Sequence, residues 1–289
     1  MQKGSTKKPV RSPQLQPRPG LEKKMKPLPI FDYPQIKGNH RLKNKIAFIT
    51  GGDSGIGKAV AVLFAKEGAA IVIAYLNEDK DAKDTQHYIE ENYRRPCLLI
   101  KGDLSSEANC INAIKKTIKQ FGHIDILVNN AALHYENKSL ETLTTKELIK
   151  TFETNIFSYF WVTKAALPNM KKGSCIINSS SVTAYRGSGS LIDYASTKGA
   201  IVAFTRSLSS NLAKKGIRVN GVAPGPIWTP LIPSSFKAIK VAQHGSDVPM
   251  QRAGEPVEIA PSYLFLASSD ASYMTGQFLH PNGGEIING

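Results

Sequence analysis

Short apolar runs alternate with longer amphipathic stretches from residue 45 onward. Six runs are rich in β-branched residues, and they cover 46–50, 69–75, 97–100, 124–130, 175–180 and 217–223. Runs that are apolar on both faces are typical of parallel strands that helices cover on each side. The stretches between them have helical spacing, and several end at glycine, which favours a left-handed helix end. Helices are therefore predicted over 57–68, 80–93, 107–122, 146–170 and 194–216.

This alternation predicts the fold class. Strands and helices that follow one another at this spacing indicate a doubly wound α/β fold with right-handed crossovers. A chain of 289 residues is long enough for one large domain or two small ones. Because the sequence contains no internal repeat and no second core, we expect residues 45–289 to form a single domain.

The N-terminal region has a different composition from the rest. Residues 1–45 hold 12 Lys and Arg but 2 Asp and Glu, so most of the net charge of +14 lies there, together with 7 of the 17 prolines. Such a segment buries too little apolar area to offset its ordering entropy. Residues 1–28 are therefore predicted to be a disordered, basic, proline-rich tail. The apolar residues within 29–44 indicate an arm that docks on the body or on a neighbouring subunit.

The basic tail raises the alternative of a nucleic-acid-associated protein. Single-stranded nucleic acids are bound by cations interleaved with aromatic side chains. The first 45 residues contain two aromatic residues, Phe31 and Tyr33, and no nucleic-acid motif follows them. Nucleic acid is therefore the less favoured partner.

The sequence also indicates the compartment. No window holds the roughly 18 apolar residues that a membrane span needs, and the N-terminus lacks the apolar core of a signal peptide. The chain contains an odd number of cysteines, Cys97, Cys110 and Cys175, and their spacing is not that of metal ligands. This favours free thiols and no metal site. We expect a cytoplasmic protein without a membrane partner.

A glycine-rich stretch, "TGGDSGIGKA" at 50–59, permits two interpretations. Gly-Asp-Ser-Gly surrounds the nucleophile of trypsin-like proteases, but such enzymes are all-β and place their His and Asp before that serine. Here the single histidine before Ser54 is His40, inside the basic region. The stretch follows an apolar strand directly and opens a helix, where backbone N–H groups and the helix dipole favour a phosphate. A nucleotide-binding loop is the better interpretation.

The spacing Gly51-x-x-x-Gly55-x-Gly57 resembles the cofactor loop of the short-chain dehydrogenase/reductase family. The resemblance extends over about residues 45–285. It continues through "NNAA" at 129–132, Asn155, Ser181, the "YASTK" of Tyr194 and Lys198, "PGPIWT" at 224–229 and "TGQFLHPNGG" at 275–284. The loop, the tail and "VAPGPIWTP" resemble a bacterial subgroup labelled glucose/ribitol-dehydrogenase-like or general-stress oxidoreductases.

Several expectations follow from this resemblance. It implies a Rossmann-type fold with a mostly seven-stranded parallel sheet and helices on both faces. It implies an NAD(P)-dependent oxidoreductase that acts on CH–OH groups of a small aldehyde, ketone or polyol, and a homotetramer. One residue departs from the family pattern: Ala132 stands where glycine is usual, which narrows the wall of the cofactor pocket without excluding binding.

The proposed acid/base group is Tyr194. The pattern Tyr-x-x-x-Lys occurs twice, but Tyr33 and Lys37 lie in the proline-rich arm, whereas Tyr194 and Lys198 share one face of a predicted helix. A free tyrosine has a pKa of about 10. We expect the Lys198 ammonium, together with a positively charged oxidised nicotinamide, to lower the pKa of Tyr194.

Ser181 and Asn155 complete the expected catalytic set. Ser181 lies thirteen residues before Tyr194 and would hydrogen-bond the substrate oxygen. Three consecutive serines leave this assignment ambiguous by one or two positions, although alternation along a strand turns Ser180 away from Ser181. By the resemblance, Asn155 helps to hold a water linked to Lys198.

The expected cofactor contacts come from loops that follow the strands. The candidates are Gly51, Asp53, Ser54, Gly55, Ile56, Gly57, Tyr75, Leu76, Asn77, Asp103, Leu104, Asn130, Ala131, Ala132, Tyr194, Lys198, Pro224, Gly225, Ile227 and Thr229. A helix-cap or turn role is nearly as good an interpretation of Asp103. Either NAD(H) or NADP(H) is possible. The absence of a cation near Asp53 and the end of the second strand favours NAD(H).

The substrate side is less defined. Its expected wall consists of Ser181, His134, Tyr135, Tyr185 and Arg186, under a lid formed by 226–250, which contains prolines and no clear period. A dinucleotide sensor without turnover is a third alternative, which the complete Asn/Ser/Tyr/Lys set disfavours.

Overall fold

A computed structural model describes residues 7–287 of the chain. Seven parallel strands form one sheet in the order β3-β2-β1-β4-β5-β6-β7. The strands are β1 Ile46–Thr50, β2 Ala70–Tyr75, β3 Cys97–Lys101, β4 Ile126–Asn129, β5 Cys175–Ser179, β6 Arg218–Val222 and β7 Phe278–Leu279. The predicted fold class is confirmed, and each predicted apolar run contains a strand.

Nine α-helices accompany the sheet within the part of the chain that the structure describes. They are α1 Gly55–Lys66, α2 Asp79–Tyr93, α3 Glu107–Phe121, α4 Thr145–Phe152, α5 Ser158–Ala166, α6 Thr183–Arg186, α7 Ile192–Leu212, α8 Ala238–Ala242 and α9 Pro256–Ala267. Over residues 7–287 none of them is both long and apolar enough to cross a membrane.

The helices differ from the sequence prediction at several points, and the short helices α6 and α8 were not predicted. The helix predicted over 146–170 is interrupted by a π-helical turn, Glu153–Phe157, which separates α4 from α5. Helix α9 was not predicted, because it contains Pro261 and because its apolar residues occupy most of its circumference. It packs against α1 and buries Tyr263 completely.

The sheet has an apolar core on each face. Ala47 and Ile49 of β1 belong to one core, together with residues of α1, α2 and α9. Phe48, between them, belongs to the other core with residues of α3 and α5. Successive side chains of a strand point to opposite faces, so helices on both faces require strands that are apolar throughout.

The two halves of the sheet meet at β1, which pairs with β2 on one side and β4 on the other. The strand order reverses there. In open α/β sheets, ligands bind in the crevice at the carboxyl ends of the strands beside such a switch point. The glycine loop at 51–55 leaves β1 at this edge.

Residues 7–28, which we call the N-terminal strap, differ from the disorder predicted for residues 1–28. Met25 is 2 % exposed and packs with Trp228 and Phe236. The indole N–H of Trp228 donates to the carbonyl oxygen of Pro27 over 2.9 Å. These partners lie about two hundred positions further along the chain, so local composition could not reveal them. The first six positions of the predicted tail lie outside the described residues.

Residues 29–44, predicted as an arm, contact α1 and α2 of the same chain. The carboxylate of Asp32 accepts hydrogen bonds from the ammonium of Lys66 and from the hydroxyls of Tyr88 and Tyr93. The side chains of Asp32 and Lys66 are 6 % and 5 % exposed. This buried cluster attaches the arm to the body.

Candidate active site

The glycine loop joins β1 to α1 at the carboxyl edge of the sheet. Gly51 and Gly55 have φ angles of +63° and +53°, a region that favours glycine. A Cβ on Gly57 would lie 1.9 Å from the carbonyl oxygen of Gly51, so the helix can approach the loop only with glycine there. The loop is therefore shaped for close approach to a ligand, with the α1 N–H groups at its end.

A cavity of about 420 Å³ lies above this loop. The predicted cofactor residues that line it are Gly51, Asp53, Ser54, Gly55, Ile56, Tyr75, Leu76, Asp103, Leu104, Asn130, Ala131, Ala132, Tyr194, Lys198, Pro224 and Thr229. We call it the dinucleotide cavity. Ala132 has an ordinary negative φ, so its methyl group is accommodated without backbone strain.

Four predicted cofactor residues do not line the dinucleotide cavity. Gly57 packs under the loop, against Gly51, and acts through the backbone shape. Asn77 lies after β2 with an exposed side chain. Gly225 and Ile227 line a neighbouring cavity instead.

This neighbouring cavity, of about 500 Å³, adjoins the dinucleotide cavity, and we call it the substrate-side cavity after the wall that the sequence predicts there. Ser181, His134 and Arg186 line it as predicted, and Tyr194 borders both cavities. Tyr185 lines neither. The short helix α6 rotates successive side chains by about 100°, so the ring of Tyr185 packs against Phe278 and His280. The lid segment 226–250 contributes further lining residues, namely Pro226, Ile227, Thr229, Leu231, Ile232, Phe236, Lys240, Gln243, His244, Gly245 and Asp247.

The three consecutive serines have different partners. The hydroxyl of Ser179 contacts Asn130 and Tyr263. That of Ser180 donates to the carbonyl oxygen of Lys198 over 2.8 Å. The side chain of Ser181 is hydrogen-bonded to Tyr194. Of the three serines, Ser181 is therefore the one whose side chain lies beside Tyr194.

Tyr194 and Lys198 lie one turn apart on α7 and face the cavity edge. The Lys198 Nζ is 5.4 Å from the ring centre of Tyr194 and donates to the carbonyl oxygen of Ser179 over 2.7 Å. Lys198 is 2 % exposed. The Lys198 side chain is thus held beside the phenol by a backbone hydrogen bond, and within residues 7–287 it forms no ion pair with a carboxylate.

The pKa shifts differ from the sequence expectation. Burial raises the pKa of Tyr194 to about 12, partly offset by the hydrogen bond to Ser181. Burial also lowers the pKa of Lys198 to about 7. Taking either charged form out of water is unfavourable, and this outweighs the attraction between the two groups that we expected to lower the pKa of Tyr194.

Asn155 lies in the π-helical turn and lines neither cavity. Its amide oxygen accepts from the N–H of Leu133 over 2.8 Å, and its amide nitrogen donates to the carbonyl oxygen of Leu133 over 2.8 Å. The same nitrogen contacts the hydroxyl of Thr197 on α7 over 3.2 Å. π-helical turns are frequent at functional sites because they change the direction of a side chain.

Carboxylates surround the end of the cavity near β2 and β3. Asp53 is 5 % exposed. Burial, followed by repulsion from Glu78, raises the pKa of Asp53 to about 7. Asp103 accepts from the N–H of Ser105 over 2.9 Å and from the ammonium of Lys150 over 2.8 Å. Asp103 therefore supports a turn and also lines the dinucleotide cavity.

Sequence reasoning missed part of the cavity lining. Arg18, Pro19 and Gly20 of the strap line the dinucleotide cavity, as do Lys150 and Thr154. The hydroxyl of Thr154 is buried and has no hydrogen-bond partner among the described residues. No local signal marked the strap residues, since their composition resembles that of a disordered chain.

Comparison with known protein families shows which family the chain belongs to. A family model described as enoyl-(acyl carrier protein) reductase matches residues 51–285. The chain belongs to the short-chain dehydrogenase/reductase family. Its members in this comparison are named as oxidoreductases and dehydrogenases, and the chain is an oxidoreductase of this family.

Family relatives match nearly the whole chain. The Bacillus subtilis "uncharacterized oxidoreductase YhxC" is 59 % identical, covering 94 % of each chain. "NADPH-dependent aldehyde reductase 1, chloroplastic" of Arabidopsis thaliana is 51 % identical, covering 94 % of this chain and 96 % of the relative. "Glucose and ribitol dehydrogenase" of Daucus carota is 50 % identical, covering 94 % and 95 %.

Solved structures of the family have the same fold. A short-chain dehydrogenase from Burkholderia cenocepacia in complex with NADP has a TM-score of 0.79 at 28 % identity, covering 84 % of this chain and 98 % of its own. The 3-ketoacyl-(acyl-carrier-protein) reductase of Brucella melitensis complexed with NADH has a TM-score of 0.76 at 31 % identity, covering 84 % and 98 %. Family members thus bind either dinucleotide.

Proposed function

We propose that the protein transfers a hydride between a nicotinamide dinucleotide and a small carbonyl or alcohol substrate, with Tyr194 as general acid/base. The observation that carries this proposal is the position of Tyr194, which borders both the dinucleotide cavity and the substrate-side cavity. A group that serves both ligands must stand where the two cavities meet. Tyr194 does so with Ser181 hydrogen-bonded to it and Lys198 one helical turn away.

Residues that line the dinucleotide cavity would hold each part of the cofactor. The loop 51–56 would hold the diphosphate through backbone N–H groups other than that of Gly55, which donates to the carboxylate of Glu22. Asp103 and Leu104 would lie at the adenine, and Pro224 and Thr229 at the nicotinamide. The unpartnered buried hydroxyl of Thr154 and the approach that only glycine permits at Gly57 fit such a ligand. A bound reduced nicotinamide would supply the hydride for the carbonyl carbon.

The proton would come from Tyr194. A pKa of about 12 keeps the phenol protonated at neutral pH, so Tyr194 holds the proton that the oxygen of a carbonyl undergoing reduction requires. Ser181 would hold that oxygen by a hydrogen bond. Lys198 would stabilise the tyrosinate that proton donation leaves behind. Asn155 would position the loop at Leu133 against α7.

We propose NAD(H) as the preferred cofactor. Asp53 and Glu78 line the cavity at the end where the adenosine ribose would lie. The carboxylate of Glu78, and that of Asp53 once it ionises above its pKa of about 7, would repel a 2′-phosphate. Lys150, the nearby cation that lines the cavity, is paired with Asp103. The Arabidopsis relative is named for NADPH, and a comparison of the KM values for the two cofactors tests the preference. A tenfold lower KM for NADP(H) than for NAD(H) would refute it.

A small hydroxylated or aldehydic substrate suits the second cavity. Its lining includes polar and ionisable groups, His134, Arg186, Lys240 and His244, beside the aromatic ring of Phe236. Burial lowers the pKa of His134 to about 3 and that of His244 to about 4, so both imidazoles are neutral at pH 7. Neutral imidazoles and hydroxyls bind polyols and aldehydes by hydrogen bonds without requiring a charged substrate.

The experiment that tests this function compares Tyr194→Phe with Tyr185→Phe. Both remove one phenolic hydroxyl, but Tyr185 lines neither cavity. With aldehydes, ketones and polyols screened through the absorbance of reduced nicotinamide, Y194F should lower kcat by about 10²–10⁴-fold. The Kd of the dinucleotide should stay within about threefold of the wild-type value. Y185F should retain nearly full activity.

Two outcomes would contradict the proposal. Equal activity of Y194F and wild type would exclude Tyr194 as the acid/base. Tight dinucleotide binding by a wild-type chain that turns over none of the substrates would favour a sensor. The homotetramer and the cytoplasmic location stay predictions, of which the first is checked by light scattering on the purified chain.

A further inference from the structure

The N-terminal strap crosses the mouth of the dinucleotide cavity. At one side, the buried carboxylate of Glu22 accepts from the N–H of Gly55 over 2.8 Å and from the ammonium of Lys58 over 2.6 Å. The N–H of Glu22 donates to Asp81 over 2.8 Å. Glu22 is 5 % exposed. The strap is therefore fixed to the first turn of α1, beside the glycine loop.

At the other side, the strap reaches the loop that follows β4. The guanidinium of Arg18 donates to the carbonyl oxygen of His134 over 2.9 Å and lies 4.1 Å from the ring centre of Tyr135. Between the two anchors, Gly20 packs so closely on Pro230 that a Cβ would lie 2.3 Å from its carbonyl oxygen. The strap thus spans the crevice between the β1 and β4 sides of the sheet.

The charges lining the cavity make Arg18 distinctive. Three cations line it among the described residues: Arg18, Lys150 and Lys198. Lys150 is paired with Asp103, and Lys198 is buried against a backbone carbonyl. Within residues 7–287, Arg18 has no carboxylate partner, and its one hydrogen bond leaves most of its five N–H donors free. A planar guanidinium with free donors is suited to a diphosphate.

We infer that the strap closes over the bound dinucleotide and that Arg18 is a ligand of its diphosphate. This rests on the proposed function, because it assumes that a dinucleotide occupies the cavity. Arg18 lies outside the residues that the family model matches, 51–285. The glycine loop binds the diphosphate from below through backbone N–H groups, and Arg18 supplies a positive charge from the opposite side.

The test measures binding and not turnover. Calorimetric titration with ADP-ribose, which carries the diphosphate but no nicotinamide, is carried out on the full-length wild type, Arg18→Gln, Arg18→Lys and Lys24→Gln. Lys24 is an exposed strap cation that does not line the cavity, so K24Q controls for the loss of one charge. R18Q should raise the Kd about tenfold, as expected for a lost charge-assisted hydrogen bond. R18K should retain part of the affinity, and K24Q should match the wild type.

Ionic strength separates a ligand role from a merely structural one. If Arg18 contacts the diphosphate, the affinity of the wild type falls more steeply with salt than that of R18Q. An R18Q Kd within twofold of the wild-type value, or one tighter than it, would overturn this inference alone. A wild type that binds neither ADP-ribose nor NAD(P)H would overturn the proposed function as well.

Discussion

Removing the Asp32 carboxylate should destabilise the protein strongly. Asp32→Ala leaves the ammonium of Lys66 buried without its partner and takes the acceptor from the hydroxyls of Tyr88 and Tyr93. Breaking a buried ion pair in this way costs about 3–5 kcal/mol. The lost hydrogen bonds to the two tyrosines would add to this cost. However, detachment of the arm would let water reach the unpaired groups, so we expect the loss of unfolding free energy to stay within about 3–5 kcal/mol.

The assay is thermal unfolding followed by circular dichroism at fixed protein concentration. For a chain of this size, about 2 °C is lost per kcal/mol, so D32A should lower the Tm by about 6–10 °C. Asp84→Ala is the matched control, since Asp84 is an exposed carboxylate on the same helix as Tyr88. It should leave the free energy of unfolding within about 0.5 kcal/mol of the wild-type value.

A double variant tests the cause. Adding Lys66→Met to D32A removes the unpaired charge, so the double variant should recover part of the lost stability. If D32A unfolds within about 1 °C of the wild type, the cluster does not hold the arm. If K66M adds a further loss to D32A, an uncompensated charge is not the origin of the effect.

Two further predictions concern buried titratable groups. Because the pKa of Asp53 is raised from 3.8 to about 7, the folded state binds its proton more tightly than the unfolded state, so the free energy of unfolding should fall as the pH rises from about 4 to 7. Asp53→Asn should flatten this fall, by up to about 4 kcal/mol at pH 8. Denaturant unfolding at about pH 4 and pH 8 measures this, and an equal dependence on pH in the variant and the wild type would refute it. Burial raises the pKa of the thiols of Cys97 and Cys110 to about 12 and that of Cys175 to about 11. Because the thiolate is the reactive form, titration with a disulfide reagent should detect almost no thiol in the native protein and three after unfolding.

The strands and the placement of Tyr194 beside Lys198 could be predicted because each depends on a local pattern, whereas the other candidate site residues were expected from the family resemblance. Apolar residues on both faces of 46–50 require cover on both sides, which fixes a parallel sheet. Helical spacing alone places Tyr194 and Lys198 on one face of α7. The same spacing cannot give their pKa values, which depend on how far the surrounding fold removes both side chains from water.

The N-terminal strap could not be predicted because its partners are remote. Its own composition is basic and rich in proline, which is typical of disorder. Its order comes from the indole N–H of Trp228 and the N–H of Gly55 on α1, which donate hydrogen bonds to it, and from Pro230, against which Gly20 packs. Helix α9 escaped prediction for a related reason: Pro261 opposes a helix locally, whereas packing against α1 favours it.

The side chain of Asn155 offers one acceptor and one donor to a single residue, Leu133, in the way that a peptide group of an adjacent strand would. The backbone of Leu133, after the end of β4, therefore forms with this side chain the pair of hydrogen bonds that a neighbouring strand would otherwise supply. Because the same amide also reaches Thr197 on α7, a shift of that helix would pull on the wall of the cofactor cavity. One side chain therefore joins the wall of the cofactor cavity to the helix that carries Tyr194 by direct hydrogen bonds.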